Sequence, residues 1–239
     1  MHLICVNRTF AGMQGLREHV LKRLRELKGP TLFLFGEDAM QSFKKGAMQP
    51  RYQVKDWIRE LAPRLPRRCK MVLTTFESAG SNLSNTAYAI SQSGYRAKPK
   101  QTETKMDSRA RTVYGMLSGD VIREDAWKRR SQRFSKEPYL RFAHEGKTFE
   151  VRTCADVNRE AAPEPTCITL VPAAGYALED MNHVGELGIA RHRRMIIFND
   201  PLLEYVAGLE HKDGKNVIFH EDSLARRLKE MGITLHVDR

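Results

Sequence analysis

Three short segments each place a reactive side chain just past an expected buried strand. They are Leu34–Phe35–Gly36–Glu37–Asp38, Glu103–Thr104–Lys105–Met106–Asp107 and Val151–Arg152–Thr153–Cys154–Ala155–Asp156–Val157. Loops leaving strand ends are the usual sites of α/β proteins. A carboxylate, an ammonium and a thiol gathered there would suit covalent catalysis at an electrophilic carbon. The thiolate is the attacking species and a free thiol has a pKa of about 8.5, so Cys154 needs help near neutral pH. Alone, a cysteine at a strand end reads as inert packing. The order Glu37, Lys105, Cys154 is what makes it a candidate nucleophile.

The elements that must position these groups alternate strand with helix, which predicts α/β layers in one domain spanning residues 1–239. His2–Val6 is a first strand. Gln14–Lys28 carries Leu16, Val20, Leu21, Leu24 and Leu27 on one helical face. Gly29–Pro30 breaks that helix, and Thr31–Phe35 reads as a buried strand leading to Glu37. Val54–Leu65 is a second helix, followed by strands over Cys69–Thr75 and Asn85–Ser91. Tyr95–Lys105 pairs with the latter as a hairpin. Gly146 turns Leu140–His144 into Thr148–Thr153, at whose end Cys154 stands. Cys167–Val171, Met195–Phe198, Asn216–Phe219 and Ile233–Val237 are further strands. The last helix has Asp222–Ser223 at its cap, Leu224 and Leu228 inward and Gly232 at its exit.

Composition bounds the class. The chain has 239 residues, 41% hydrophobic and 29% charged, as globular proteins do. No run approaches the roughly 20 apolar residues of a membrane span, and Met1–Phe10 does not read as a secretory signal. A cytoplasmic protein is expected. Cys5, Cys69, Cys154 and Cys167 form no CxxC pair, which argues against a disulfide framework or a zinc site. Cys5 and Cys167 lie inside apolar strands and read as core. Cys69, beside Arg67, Arg68 and Lys70, reads as a strand entrance, with a lowered thiol pKa as the alternative. The formal charge is +11, from 40 Lys+Arg against 29 Asp+Glu. Such an excess favours anionic partners, although a solvated basic face is the plainer reading.

At the level of these motifs the chain resembles the nitrilase, or carbon–nitrogen hydrolase, superfamily. The strand–helix–strand leading to Glu37 matches the family's opening, with Gly36 where the family has proline. Asn85–Thr86–Ala87, followed by Gly94 and a lysine-bearing strand, is similar to the family's Asn-Thr-Ala strand and catalytic lysine. Arg152–Thr153–Cys154–Ala155–Asp156 resembles its Cys-x-Asp elbow. Leu170–Val171–Pro172–Ala173–Ala174 resembles the strand and turn that follow. The likeness spans residues 1–175 and thins afterwards, where Ile197–Phe198–Asn199 is the candidate for an asparagine-bearing strand.

The resemblance implies a layered α-β-β-α sandwich with two mixed sheets. It also implies hydrolysis of a small amide or carbamoyl compound, or less readily a nitrile, through a thioester on Cys154. Glu37 would be the general base, and Lys105 would stabilise charge together with the backbone N–H of Ala155. Lys105 suits the strand end better than Lys100, which stays open. Glu124, between lysine and cysteine, takes the place of the family's second glutamate; Glu103, Glu137 and Glu145 fit less well. Such enzymes pair as homodimers and use no cofactor and no metal. The substrate would be a small amide, and the excess positive charge would suit an anionic one.

Two other readings remain. A metal-dependent phosphodiesterase of similar layers would use Glu37 and Asp156–Val157–Asn158 on Mg²⁺. A catalytically inactive nitrilase-like protein would bind an anionic or nucleic-acid partner. The basic runs lack interleaved aromatics, so nucleic acid is not favoured.

Overall fold

The computed structural model describes residues 1–10, 12–37, 39, 49–79, 82–100, 139–158, 167–176 and 195–239. Its first strands are β1 (His2–Val6), β2 (Thr31–Phe35) and β4 (Cys69–Ala79), with the two-residue β3 (Gln49–Pro50) beside β4. β5 (Asn82–Ser91) and β6 (Gly94–Pro99) complete one side of this sheet, and β13 (Thr234–Asp238) completes the other. The order is β13-β1-β2-β4-β5-β6. β13, β1, β2 and β4 run parallel, while β5 and β6 are antiparallel additions.

The second sheet holds β7 (Leu140–His144), β8 (Lys147–Val151), β9 (Cys167–Pro172), β10 (Ile196–Asp200), β11 (Tyr205–Lys212) and β12 (Lys215–His220), adjacent in that order. Its centre, β8-β9-β10, is parallel.

Period-two alternation splits each strand between two cores. In β1 and β2, Ile4, Val6, Phe33 and Phe35 face helices α1 (Met13–Glu26) and α2 (Arg51–Leu61). Leu3, Cys5, Leu32 and Leu34 face the second sheet, meeting Phe142, Phe149, Ile168, Leu170 and Ile197. Both faces are covered, which is why TLFLF needs no polar residue in its middle. α1 buries Leu16 and Val20, and the Trp57 indole of α2 donates to Met13 O at 3.1 Å. Val171, Ile196, Phe198, Ala207 and Leu209 form a third cluster on the far face of the second sheet.

Several sequence boundaries shift. β4 runs on to Ala79 because its far half pairs with β5 through Ala79↔Asn82. Two strands were not expected: β3, and β11, whose Val206–Glu210 is fully buried between β10 and β12. The last helix, α3 (Glu221–Glu230), is capped by His220, not by Asp222–Ser223. Ser223 instead donates its hydroxyl back to His220 O at 2.8 Å. Leu224 and Leu228 face inward as expected. Cys5, Cys69 and Cys167 are all buried. Cys69 does open β4, but burial pushes its thiol up to about 12, the opposite of an activated cysteine. No helix among the described residues is long and apolar enough to cross a membrane.

Candidate active site

Parallel strands gather their carboxyl ends on one side, and the two sheets of this sandwich share that side. β2 delivers Glu37, β8 delivers Cys154, β9 ends in Pro172–Tyr176, and β10 ends in Asp200. The strand ends are laced together across the sheets. Glu37 N donates to Ala173 O at 3.1 Å, and Ala173 N donates to Asn199 O at 3.0 Å. The Asn199 amide donates to Val6 O at 3.1 Å and to Leu34 O at 2.8 Å. The residue that the sequence offered for the asparagine-bearing strand thus clamps β1 and β2 to β10.

Gly36 explains its own departure from proline. A Cβ there would lie 2.1 Å from Pro201 Cδ and 2.4 Å from its Cγ. The Pro201 ring occupies that space, while Thr74 Oγ1 fixes Gly36 O at 3.1 Å.

Glu37 is 4% exposed. Its Oε1 accepts from the Asn85 amide and, at 2.6 Å, from the Lys100 ammonium, whose side chain is 1% exposed. Lys100 follows β6 directly and is held there by its own N–H on Asn85 O at 2.7 Å. The described structure therefore brings Lys100 to Glu37. Lys105 and Glu124, like Glu103 and Glu137, lie outside the described residues. Glu145 is at a hairpin turn, paired with Arg68 at 2.5 Å.

Cys154 comes three residues after β8, later than the expected strand Thr148–Thr153, and opens a 3-10 turn over Cys154–Asn158. Its φ of 47° is left-handed, a conformation that costs a non-glycine residue on the order of 1–3 kcal/mol. A sharp elbow of this kind lifts a nucleophile out of the chain's line. The elbow is braced from both sides. Asp156 N closes it on Thr153 O at 3.0 Å, and Arg152 N is held by Leu170 O at 3.0 Å. The Arg152 side chain is fully buried, bonded to Glu150 at 2.6 Å and stacked 3.8 Å from the centre of the Tyr139 ring. Arg141 holds the other oxygen of Glu150 at 2.8 Å. Burial alone would raise the Glu150 pKa, but the two guanidiniums outweigh it and hold the carboxyl below its ordinary value.

The thiol has Glu37 and the N–H of Ala174 as hydrogen-bond partners and feels the charge of Lys100. Its pKa is raised well above the ordinary value, by burial first and by the Glu37 charge next. Lys100 and the Ala174 N–H pull the other way, and a hydrogen bond to Glu37 favours the protonated thiol again. The resting proton is on sulfur, directed at a carboxylate. Ala155, expected as an oxyanion donor, is the second residue of the elbow.

Neither a protein-family model nor a curated protein matches the sequence. Solved structures do match. A CN-hydrolase superfamily protein from Xanthomonas campestris, described with an arsenic adduct in its active site, superposes with a TM-score of 0.53 at 12% identity, covering 95% of this chain and 92% of that one. Saccharomyces cerevisiae Nit3, of the nitrilase superfamily, gives 0.53 at 11% over the same shares. The amidase of Nesterenkonia sp. AN1, in a form with acrylamide added to its active-site cysteine, gives 0.51 at 14%, covering 83% and 76%.

The chain has the nitrilase-superfamily fold. The α-β-β-α layering expected from the motifs is therefore the observed architecture. Within it, Glu37 follows β2 of the first sheet and Cys154 follows β8 of the second. Sequence reading missed Asp200, whose carboxylate accepts from Tyr176 N at 2.8 Å, and Pro201, whose ring fills the space beside Gly36; it named Ala174 without the role of its N–H. It noticed Asn85 as part of a strand motif, without the role of its amide on Glu37.

Proposed function

We propose that the chain is a carbon–nitrogen hydrolase of amidase type, with Cys154 as nucleophile, Glu37 as general base and Lys100 as the lysine of the set. The observation that carries this reading is a buried carboxylate bonded to an ammonium at 2.6 Å and facing a protonated thiol on a left-handed elbow. Lys100 takes this role in the proposal because its ammonium is bonded to Glu37 Oε1, and a charge-stabilising lysine has to reach the reacting centre; Lys105 lies outside the described residues.

The chemistry follows from the resting proton. Glu37 takes the thiol proton as sulfur attacks the amide carbon, forming the C–S bond and an oxyanion. Lys100 and the N–H groups of Ala174 and Ala155 offset that charge; preorganised donors of this kind contribute about 3–4 kcal/mol each. Glu37 returns the proton to the departing amine as the C–N bond breaks. It then deprotonates a water that adds to the thioester carbon, releasing the carboxylic acid and restoring the thiol. A thiol that is neutral at rest requires a base within reach, and the Glu37 carboxylate near the Cys154 thiol supports this reading.

The experiment is intact-protein mass spectrometry after exposure to a panel of small amides and carbamoyl compounds, with acrylamide as a trapping reagent. Acyl or acrylamide adducts on Cys154, absent from Cys154→Ala, are expected. A Cys154→Ala protein that still hydrolyses amides would end the proposal. The phosphodiesterase reading fits less well, since Glu37 Oε1 is already taken by an ammonium and an amide.

A further inference from the structure

One buried carboxylate takes no part in the hydrolase chemistry set out above. Asp200 ends β10 and is fully buried. Among the described residues it makes no ion pair, and its partners are backbone N–H groups. Its Oδ2 accepts from Tyr176 N at 2.8 Å, and its Oδ1 accepts from Leu202 N and Leu203 N, both at 3.0 Å. The Gly175 N–H acts on it as well. Burial pushes the Asp200 carboxyl up, and these four N–H groups oppose the rise. An aliphatic residue would fill the position without the cost of burying a charge.

The carboxylate holds the turn that follows β9, residues 173–176. Gly175 crosses that turn with a φ of 80°. At one end Ala173 is fixed by both of its backbone groups. Its O accepts from Glu37 N at 3.1 Å, and its N donates to Asn199 O at 3.0 Å. At the other end Tyr176 is fixed by both of its own. Asp200 takes its N–H, and Tyr205 donates its hydroxyl to Tyr176 O at 2.6 Å. Register brings the two together, since Asp200 pairs with Tyr205 across β10 and β11. The Tyr176 ring is stacked on Phe198, with centroids 5.4 Å apart. Between the anchored ends stands Ala174, whose N–H is a partner of the Cys154 thiol. Neither Ala174 nor Gly175 has a side chain that could hold the turn itself.

We infer that Asp200 is a positioning residue of the proposed active site, which fixes this turn so that the Ala174 N–H points at Cys154 and at the negative charge formed there, with Tyr205 as the second tether. A hydrogen bond weakens steeply as its donor turns away, so a preorganised donor needs a rigid support. The catalytic consequence rests on the hydrolase reading; the geometry at the thiol does not.

The test is alkylation of Cys154 by iodoacetamide at pH 8, read by peptide mass mapping, in Asp200→Asn and Tyr205→Phe. The thiolate is the reacting species. Loss of an aligned N–H from it should slow Cys154 about tenfold in Asp200→Asn, and by a smaller factor in Tyr205→Phe. Loss of the Asp200 charge, opening of the site and global unfolding would each speed alkylation instead, and unfolding would also label buried Cys5 and Cys167. Tyr205→Phe changes no charge and decides the matter if Asp200→Asn does not fold. A merely structural role would lower the melting temperature, as Leu228→Ala in α3 should, and leave the Cys154 rate alone. With a small amide substrate, kcat should fall while KM stays within about twofold, because the donor acts on charge that develops during reaction. The inference is overturned if Cys154 in the folded variants is alkylated at the parent rate or faster. Slowed alkylation, with no amide turnover even in the parent protein, would uphold the role of Asp200 and end the hydrolase reading.

Discussion

Replacing Lys100 by methionine keeps the length of the side chain and removes its charge. In the parent protein the ammonium lies 2.6 Å from Glu37 Oε1, with the two side chains 1% and 4% exposed. At that separation and an effective dielectric of about 20, Coulomb's law gives about 6 kcal/mol of attraction, against which desolvation of both ions must be set. The net effect of removing one member of such a pair is a destabilisation of about 3–5 kcal/mol, because the other charge stays buried without compensation. Asn85 still donates to Glu37, which favours the lower end of that range.

The loss should depend on pH in one direction. An unpaired buried carboxylate takes up a proton more readily than the unfolded chain does. The penalty is therefore small at acid pH and grows as pH rises past the ordinary carboxylate range. Urea unfolding at pH 5 and pH 8 measures this. The midpoint of Lys100→Met should fall further below the parent at pH 8. The double variant Glu37→Gln/Lys100→Met should recover much of the difference, showing that the two residues are coupled. Iodoacetamide should alkylate Cys154 more slowly in Lys100→Met, since Lys100 lowers the thiol pKa. An unchanged midpoint at pH 8, with turnover removed by Lys105→Ala and not by Lys100→Met, would refute the reasoning.

Glu37→Gln should separate thiol reactivity from catalysis. It removes a charge that raises the thiol pKa, so alkylation of Cys154 by iodoacetamide should speed up while amide turnover is lost. Gly36→Ala should destabilise the protein by about 1–3 kcal/mol through overpacking. Pro201→Ala should restore part of that in thermal melts, because the clash at 2.1 Å is with the Pro201 ring. Glu150→Gln should cost about 3–5 kcal/mol by stranding buried Arg152. In the parent, the lowered Glu150 pKa means that this stability is present above the ordinary carboxyl value and is lost as pH falls below it. At the alkaline end, burial pushes the Cys69 thiol up to about 12, and the Cys5 and Cys154 thiols are raised as well. The unfolded chain then loses thiol protons first, so unfolding free energy should fall between pH 9 and 12 by about 1.4 kcal/mol per pH unit for each thiol. Circular dichroism at graded pH reads this.

The sequence by itself determined the parts that depend on local pattern. Short apolar runs such as Leu32–Phe35, bounded by turn residues, read as strands covered on both faces. The periodicity of Leu16, Val20 and Leu24 fixes a helix and its buried side. The ends of expected strands singled out Glu37 and Cys154 as candidates. What lay between strands was not legible in this way. That Lys100 reaches Glu37 depends on where β6 ends, and that is set by pairing with β5 across the sheet, through Thr86↔Pro99. The elbow at Cys154 has a positive φ that no glycine signals, because its brace is Glu150–Arg152 and backbone bonds to β9. Gly36 looked like a missing proline until folding brought Pro201 into its space. β11 was hidden because its small residues, Ala207 and Gly208, form no apolar run, and only its neighbours β10 and β12 make it a strand. Contacts over long sequence separations decided each of these points, and tertiary packing alone brings such residues together.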